Sequence, residues 1–283
     1  MRVALVRRAI ALLAATTVLP IVGPTFAQAP KGEIKGSALV HTADSAKGVI
    51  SGASVALPSK ATGGTAYFGK WQDMPAATSS ARVPVVVFLH GSSGLGLAAI
   101  GEWQRWLAEQ GIASVAPDSF ALPDRLTYSS PIDRKTYESI HALRASEIDL
   151  ALASVRAAAW ADTAKLVLAG TSEGAVAVAR RSEGFAARMI FSWSCEDNYF
   201  VEAHATAVDP EQPVLNMIST VDPFFSPSNA WLGNPAARGN CGQAFAAARR
   251  GAIVLVPGAP HTLIGMPYAR AMVRAFLDTA IPR

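Results

Sequence analysis

The sequence predicts a three-layer α/β fold, a mostly parallel sheet with helices on both faces. Three observations lead there. From residue 83 onward, apolar runs of strand length alternate with stretches of helical period. The first run, 83–89, is mostly β-branched, as in a strand buried on both faces. The pentapeptide Gly170-Thr171-Ser172-Glu173-Gly174 stands between an apolar run and an Ala/Val-rich helical stretch. In that strand–turn–helix setting, G-x-S-x-G lifts a serine out of the top of a sheet.

The elements follow in order. Residues 1–27 read as a secretory signal: Arg2, Arg7 and Arg8, then an apolar core over 9–22, then Thr25-Phe26-Ala27 as a small-residue cleavage site. About 14 apolar residues fall short of the ~20 that cross a bilayer, so no membrane span is expected in the mature chain. Residues 28–82 are rich in Gly, Ala, Ser and Thr, with 49–57 and 65–71 expected as two antiparallel edge strands and 75–82 as a connecting turn. Residues 83–283 form the core, in one domain with the preceding segment. Its strands are expected at 83–89, 112–116, 165–169, 187–193, 214–219 and 252–256. Its helices are expected at 98–110, 136–160, 175–181 and 264–279, with Ile140, Leu143, Ile148, Leu152 and Val155 near helical spacing in the longest.

Composition bounds the function. The chain is 51% hydrophobic and 16% charged, which suits a globular fold and not a disordered one. The leader holds three of the 25 basic residues and none of the 21 acidic ones, so the net charge of +4 falls to +1 without it. With no Lys/Arg cluster interleaved with aromatics, nucleic-acid binding is not expected. Cys195 and Cys241 are the two cysteines, and in an exported chain an even count favours a disulfide. Their spacing does not resemble a metal site, and none is expected.

In an open α/β sheet, ligands gather at the carboxyl ends of the strands. A serine there needs a base held by an acid, and after a nucleophile elbow the chain order is Ser, acid, His. Only His204 and His261 follow Ser172. His261 comes just after strand 252–256 and is the expected base; His204 is expected at the surface or in the pocket wall. Asp222 lies about three residues past strand 214–219 and is the expected acid, ahead of Asp197 and Asp209, which precede that strand. The amides of Glu173 and Ser92 are the expected oxyanion donors, Ser92 from the loop His90-Gly91-Ser92-Ser93-Gly94. Ser93 is the second choice there, and His90 is expected to hydrogen-bond within the loop. Arg125 is a candidate for a substrate carboxylate, against a solvated loop cation. The runs 194–200 and 223–226, each just after a strand end, are expected to line the pocket, Phe224 among them, and Trp103, Trp106 and Trp160 to pack helices.

Several blocks together resemble the dienelactone-hydrolase branch of the α/β-hydrolase superfamily. They are Val85-Val86-Val87-Phe88-Leu89-His90-Gly91-Ser92-Ser93-Gly94, then Ala116-Pro117-Asp118-Ser119-Phe120, residues 144–151 of the long helix, the elbow and His261. The resemblance runs from residue 83 to the C-terminus. It implies the three-layer α/β-hydrolase fold with an eight-stranded, mainly parallel sheet, a Ser or Cys nucleophile, no cofactor and ester hydrolysis. Dienelactone hydrolases proper carry cysteine at the nucleophile and glutamate in the oxyanion-loop region, and they are cytoplasmic. This chain has Ser172, Ser92 and Ser93 and an export signal, so the expectation is a small-molecule carboxylic ester rather than a dienelactone. Two other readings stand beside it: a prolyl-oligopeptidase-like peptidase, which shares this core and elbow, and a catalytically silent binding protein on the same fold.

Overall fold

The computed structural model describes residues 31–76 and 78–282. The signal segment and its cleavage site lie outside the described residues. In chain order the elements are β1 (Ile34–Lys35), α1 (Ala43–Ser51), β2 (Ser54–Leu57), α2 (Ser59–Thr62), β3 (Tyr67–Lys70), β4 (Val83–Leu89), α3 (Ala98–Glu109), β5 (Ala113–Ala116), β6 (Thr127–Tyr128), α4 (Arg134–Ala157), β7 (Ala161–Thr171), α5 (Glu173–Arg180), β8 (Ala187–Phe191), β9 (Val214–Ser219), β10 (Gly251–Val256) and α6 (Pro267–Ala280). Eight strands form one sheet in the order β10-β9-β8-β7-β4-β5-β2-β3. The pairings from β10 through β5 are parallel; β2 pairs antiparallel with β5, and β3 with β2. This is the mostly parallel eight-stranded sheet of the expected fold.

Alternation along the strands sorts the core onto two faces. Val85, Val87 and Leu89 of β4 point to the side covered by α4 and α5, with Ile148, Val155 and Val176. Val86 and Phe88 point to the other side, where Trp103 and Leu107 of α3 meet Val273 and Phe276 of α6. Strands buried on both faces need apolar residues at every position, which is why β4 reads as a continuous apolar run.

Two expectations are corrected. The strand placed at 49–57 begins only at Ser54, because Ala43–Ser51 is a helix. Thr42 caps it: its hydroxyl accepts the Ser45 amide while Ser45 Oγ accepts the Thr42 amide, a reciprocal box. The strand before the elbow is longer than 165–169, since α4 stops at Ala157 and β7 starts at Ala161. A second, two-stranded sheet joins β1 to β6, Ile34 opposite Tyr128 and Lys35 opposite Thr127, and ties the N-terminal segment to the loop before α4. Cys195 and Cys241 are bridged. Among the described residues no helix is long and apolar enough to cross a membrane.

Candidate active site

The carboxyl ends of β4, β7, β9 and β10 bring the nominated residues together. Ser172 sits between β7 and α5 at φ 54°, ψ −119°, a conformation that L-residues adopt only under constraint. The constraint is the packing of the two glycines. A methyl group on Gly174 would lie 2.5 Å from the Leu89 carbonyl oxygen and 2.7 Å from that of His90; one on Gly170 would lie 2.8 Å from the Gly174 carbonyl oxygen. Only glycines let α5 approach β4 and β7 this closely, and the turn that results exposes Ser172.

Asp222, fully buried, follows β9. Its Oδ1 accepts the amides of Phe224 (2.9 Å) and Phe225 (3.0 Å), and its Oδ2 lies 2.7 Å from His261 Nδ1. With a carboxylate there, Nδ1 carries the proton and Nε2 keeps its lone pair. The His261 loop is anchored from below: Ser192 Oγ donates to the His261 carbonyl, and Ser219 Oγ donates to that of Ala259 at 2.7 Å. Phe224 stands against the imidazole with ring centroids 4.7 Å apart.

Ser172 and His261 line one cavity of about 100 Å³, together with Ser92, Ser93 and Phe224. Ser172 Oγ makes no hydrogen bond to His261 in this geometry, and such contacts commonly tighten only when substrate is bound. Across from the elbow, Gly91 approaches Ser172 so closely that a methyl group on it would touch Ser172 Cβ at 3.2 Å. The His90 ring orients this loop. Its Nδ1 donates to the Gly91 carbonyl at 2.6 Å and its Nε2 accepts the Ser119 amide at 3.2 Å. Burial, with the Arg144 guanidinium beside it, holds His90 well below the ordinary histidine range, so it stays neutral. Because the Gly91 carbonyl turns toward His90, the Ser92 amide of the same peptide plane turns away from it. Among the described residues, neither the Ser92 nor the Glu173 amide donates to a protein acceptor.

Arg125 is elsewhere, which corrects its assignment to a substrate carboxylate. Its guanidinium is buried and committed: Nη2 donates to Glu173 Oε1 at 2.6 Å, Nε to Ser119 Oγ at 2.7 Å and Nη1 to the Leu126 carbonyl at 3.0 Å. It belongs to a cluster behind the elbow in which Arg144 meets Glu147 at 3.0 Å and Glu173 at 3.6 Å. Two guanidinium and two carboxylate groups cancel in net charge there, and removing one would strand its partner in the interior. Burial pushes the Glu147 carboxyl up, yet the Arg144 charge and the hydrogen bonds from His41 and Ser119 bring it below its usual range. His204 pairs with Asp197 at the surface, 2.9 Å apart, away from the cavity.

Tyr199 and Phe200 of the run 194–200, and Phe224 and Phe225 of the run 223–226, line the cavity as expected, and the structure adds three residues that the sequence did not nominate, Leu97, Tyr128 and Ser130. These cavity residues come from the loop after β4, from β6 and the residues just after it, and from the loops after β8 and β9. The runs 194–200 and 223–226 carried a visible signal, since each follows a strand end. Tyr128 and Ser130 carried none, because β6 is two residues long.

No family model and no curated protein matches the sequence. Solved structures do. One, described as a dienelactone hydrolase from Klebsiella pneumoniae subsp. pneumoniae, is 16% identical over 72% of this chain and 88% of its own, with a TM-score of 0.51. Esterase PE8 is 18% identical over 74% of this chain and 97% of its own, with a TM-score of 0.48. Est1E from Butyrivibrio proteoclasticus is 13% identical over 80% and 91%, with a TM-score of 0.46. At these identities the likeness concerns the fold, and the fold is that of the α/β-hydrolases.

Proposed function

We propose that the protein is an exported serine hydrolase that cleaves small carboxylic esters, a dienelactone-hydrolase-like enzyme with serine as its nucleophile. The observation that carries this reading is the Asp222–His261 pair at 2.7 Å, facing a cavity that also holds Ser172 in its strained elbow. In the proposed reaction Ser172 Oγ attacks the ester carbonyl carbon while its proton passes to His261 Nε2. Asp222 fixes the tautomer and stabilises the imidazolium. The amides of Glu173 and Ser92 receive the developing oxyanion, from positions where no protein acceptor competes for them. The tetrahedral intermediate collapses as His261 gives the proton to the departing alcohol oxygen. Water, deprotonated by His261, then releases the acid from the acyl-enzyme and returns the proton to Ser172.

The cavity of about 100 Å³ is walled by Tyr128, Tyr199, Phe200, Phe224 and Phe225, and this narrow aromatic wall favours a short acyl group. Export is supported by the leader-like N-terminus and by the Cys195–Cys241 bridge, since disulfides persist in oxidising compartments.

The test is hydrolysis of a p-nitrophenyl ester series by the mature protein, beside Ser172→Ala. The expected result is highest kcat/KM for acetate and butyrate, and a fall on the order of 10⁴-fold or more in the variant. Equal rates in parent and variant would refute Ser172 as nucleophile. Cleavage of aminoacyl anilides in preference to esters would move the reading to a peptidase.

A further inference from the structure

Arg144 of α4 is fully buried behind the elbow and touches both segments that carry the proposed oxyanion donors. On the loop side its Nη2 donates to the His90 carbonyl at 2.9 Å, and its Nη1 lies 3.3 Å from His90 Nε2. A guanidinium can only donate, and so can the Ser119 amide, 3.2 Å from the same ring nitrogen. Nε2 therefore accepts from both, and the ring proton sits on Nδ1, from which it is donated to the Gly91 carbonyl at 2.6 Å. Because a peptide is planar and trans, fixing the Gly91 carbonyl also fixes the direction of the Ser92 amide. On the elbow side Arg144 Nε lies 3.6 Å from Glu173 Oε1, the oxygen that accepts from Arg125 Nη2 at 2.6 Å. Glu173 carries the second proposed donor on its own backbone. Its side chain is fully buried and close-packed, so a shift of the carboxylate is passed to the amide beside it. A planar guanidinium presents its donors in a rigid fork, unlike an ammonium on a flexible stem.

We propose that Arg144 is a positioning residue for the oxyanion: one buried guanidinium sets the Ser92 and Glu173 amides relative to each other, gripping His90 on one side and the Glu173 carboxylate on the other. The inference rests on the serine-hydrolase reading and assigns a task to a side chain that takes no part in its proton transfers. Oxyanion donors act because they are in place before the charge develops. Loss of alignment between the two amides therefore slows the reaction without disturbing Ser172, His261 or Asp222.

The experiment compares p-nitrophenyl acetate with p-nitrophenyl thionoacetate, in which sulfur replaces the carbonyl oxygen. Sulfur accepts hydrogen bonds poorly, so the thiono ester draws little from the two amides, while nucleophile and leaving group stay the same. kcat/KM is measured for both esters in the parent, in Arg144→Met combined with Glu147→Gln, and in His90→Phe. The paired substitution removes one charge of each sign, so Arg125 and Glu173 remain balanced in the interior. His90→Phe leaves all four charges in place and cuts the path from Arg144 through the ring to Gly91. The parent is expected to favour the oxo ester by on the order of 100-fold or more. In each variant kcat/KM for the oxo ester is expected to fall on the order of 10- to 100-fold and that for the thiono ester much less, so that their ratio falls by nearly the same factor. Glu147→Gln alone keeps the Arg144 contacts to His90 and is expected to keep the parent's ratio. Circular dichroism checks folding, and if the paired variant does not fold, His90→Phe decides. A cluster that only holds the fold would lower both rates alike, so a ratio unchanged in the variants overturns the inference however far the rates fall. An active parent with a ratio near one also overturns it, since the amides then stabilise no oxyanion, while ester hydrolysis stands. A parent inactive on the oxo ester refutes the hydrolase reading itself, and this inference with it.

Discussion

Asp222 divides its carboxylate between two tasks, and each can be read separately. Oδ1 holds the chain turn through the amides of Phe224 and Phe225, while Oδ2 faces His261. In Asp222→Asn the side-chain carbonyl can still accept both amides, so the turn keeps its shape. The amide NH₂ would then face Nδ1 and force the proton onto Nε2, where the proposed base needs a lone pair. The expected outcome is a drop in kcat on the order of 10⁴-fold with a melting temperature close to the parent's. A variant that keeps most of its activity would remove Asp222 from the proposed triad. At this scale the sequence was informative wherever chain order constrains chemistry, at Ser172, Asp222 and His261. It misled at Arg125, because nothing in the local run Pro123-Asp124-Arg125-Leu126 shows that Glu173 will be buried against it.

The elbow is a statement about elements more than about Ser172. Gly174 lies in the first turn of α5, where glycine ordinarily weakens a helix relative to alanine by about 1 kcal/mol. Here the gain from alanine is outweighed, since its methyl group would meet the backbone oxygens of Leu89, the last residue of β4, and His90 just after it at 2.5 and 2.7 Å, and backbone cannot swing aside. Gly174→Ala is therefore expected to destabilise by roughly 1–3 kcal/mol and to lower kcat by tilting α5 away from the cavity. Denaturant unfolding alongside ester hydrolysis checks both, and an unchanged midpoint would contradict the close-packing account.

The disulfide works on the same scale. It joins the loop after β8, which carries Tyr199 and Phe200, to the segment preceding β10, the cysteines being 46 positions apart in sequence. Constraining a loop of that length stabilises by up to about 4 kcal/mol in the chain-entropy model. Cys195→Ser with Cys241→Ser is expected to lose about 2–4 kcal/mol, and to raise KM more than it lowers kcat, because the cavity wall and not the Asp222–His261 pair depends on it. Equal stability of the double variant and the parent would refute this role.

For the whole molecule, buried histidines set the response to acid. Burial holds both His90 and His141 below the ordinary histidine value, and the charges of Arg144 and Arg180 respectively add to it. For His141 the Phe200 carbonyl acts in the opposite direction without reversing the shift. A histidine kept neutral in the folded chain but protonated in the unfolded one favours unfolding below the unfolded value of 6.5. Stability is thus complete above that value and declines as the pH falls through it, by up to about 1.4 kcal/mol per pH unit for each histidine. Urea midpoints are expected to fall between pH values of about 7.5 and 5.5. A flat profile across that window would show that these histidines take up protons in the folded state. Glu147, held below its usual range, adds a further loss only at lower pH, as its folded value is approached.

The sequence by itself determined the layered α/β architecture and the chain order of the residues in the candidate site. Both are local signals: a strand buried on two faces must be apolar throughout, and a strand–helix turn this tight admits only glycine at Gly170 and Gly174. The helix Ala43–Ser51 escaped because its cap is a Thr–Ser box with no acidic partner and Val49 and Ile50 resemble the start of a strand. Tertiary structure alone decided what surrounds Ser172. Tyr128 of β6 and Tyr199 of the loop after β8 reach the cavity from segments over 70 residues apart in the chain. Whether Arg125 faces a ligand or Glu173 depends on a contact between residues 48 positions apart. Such neighbours leave no periodic trace, because the distance that brings them together is set by how the sheet and its loops pack and not by their spacing along the chain.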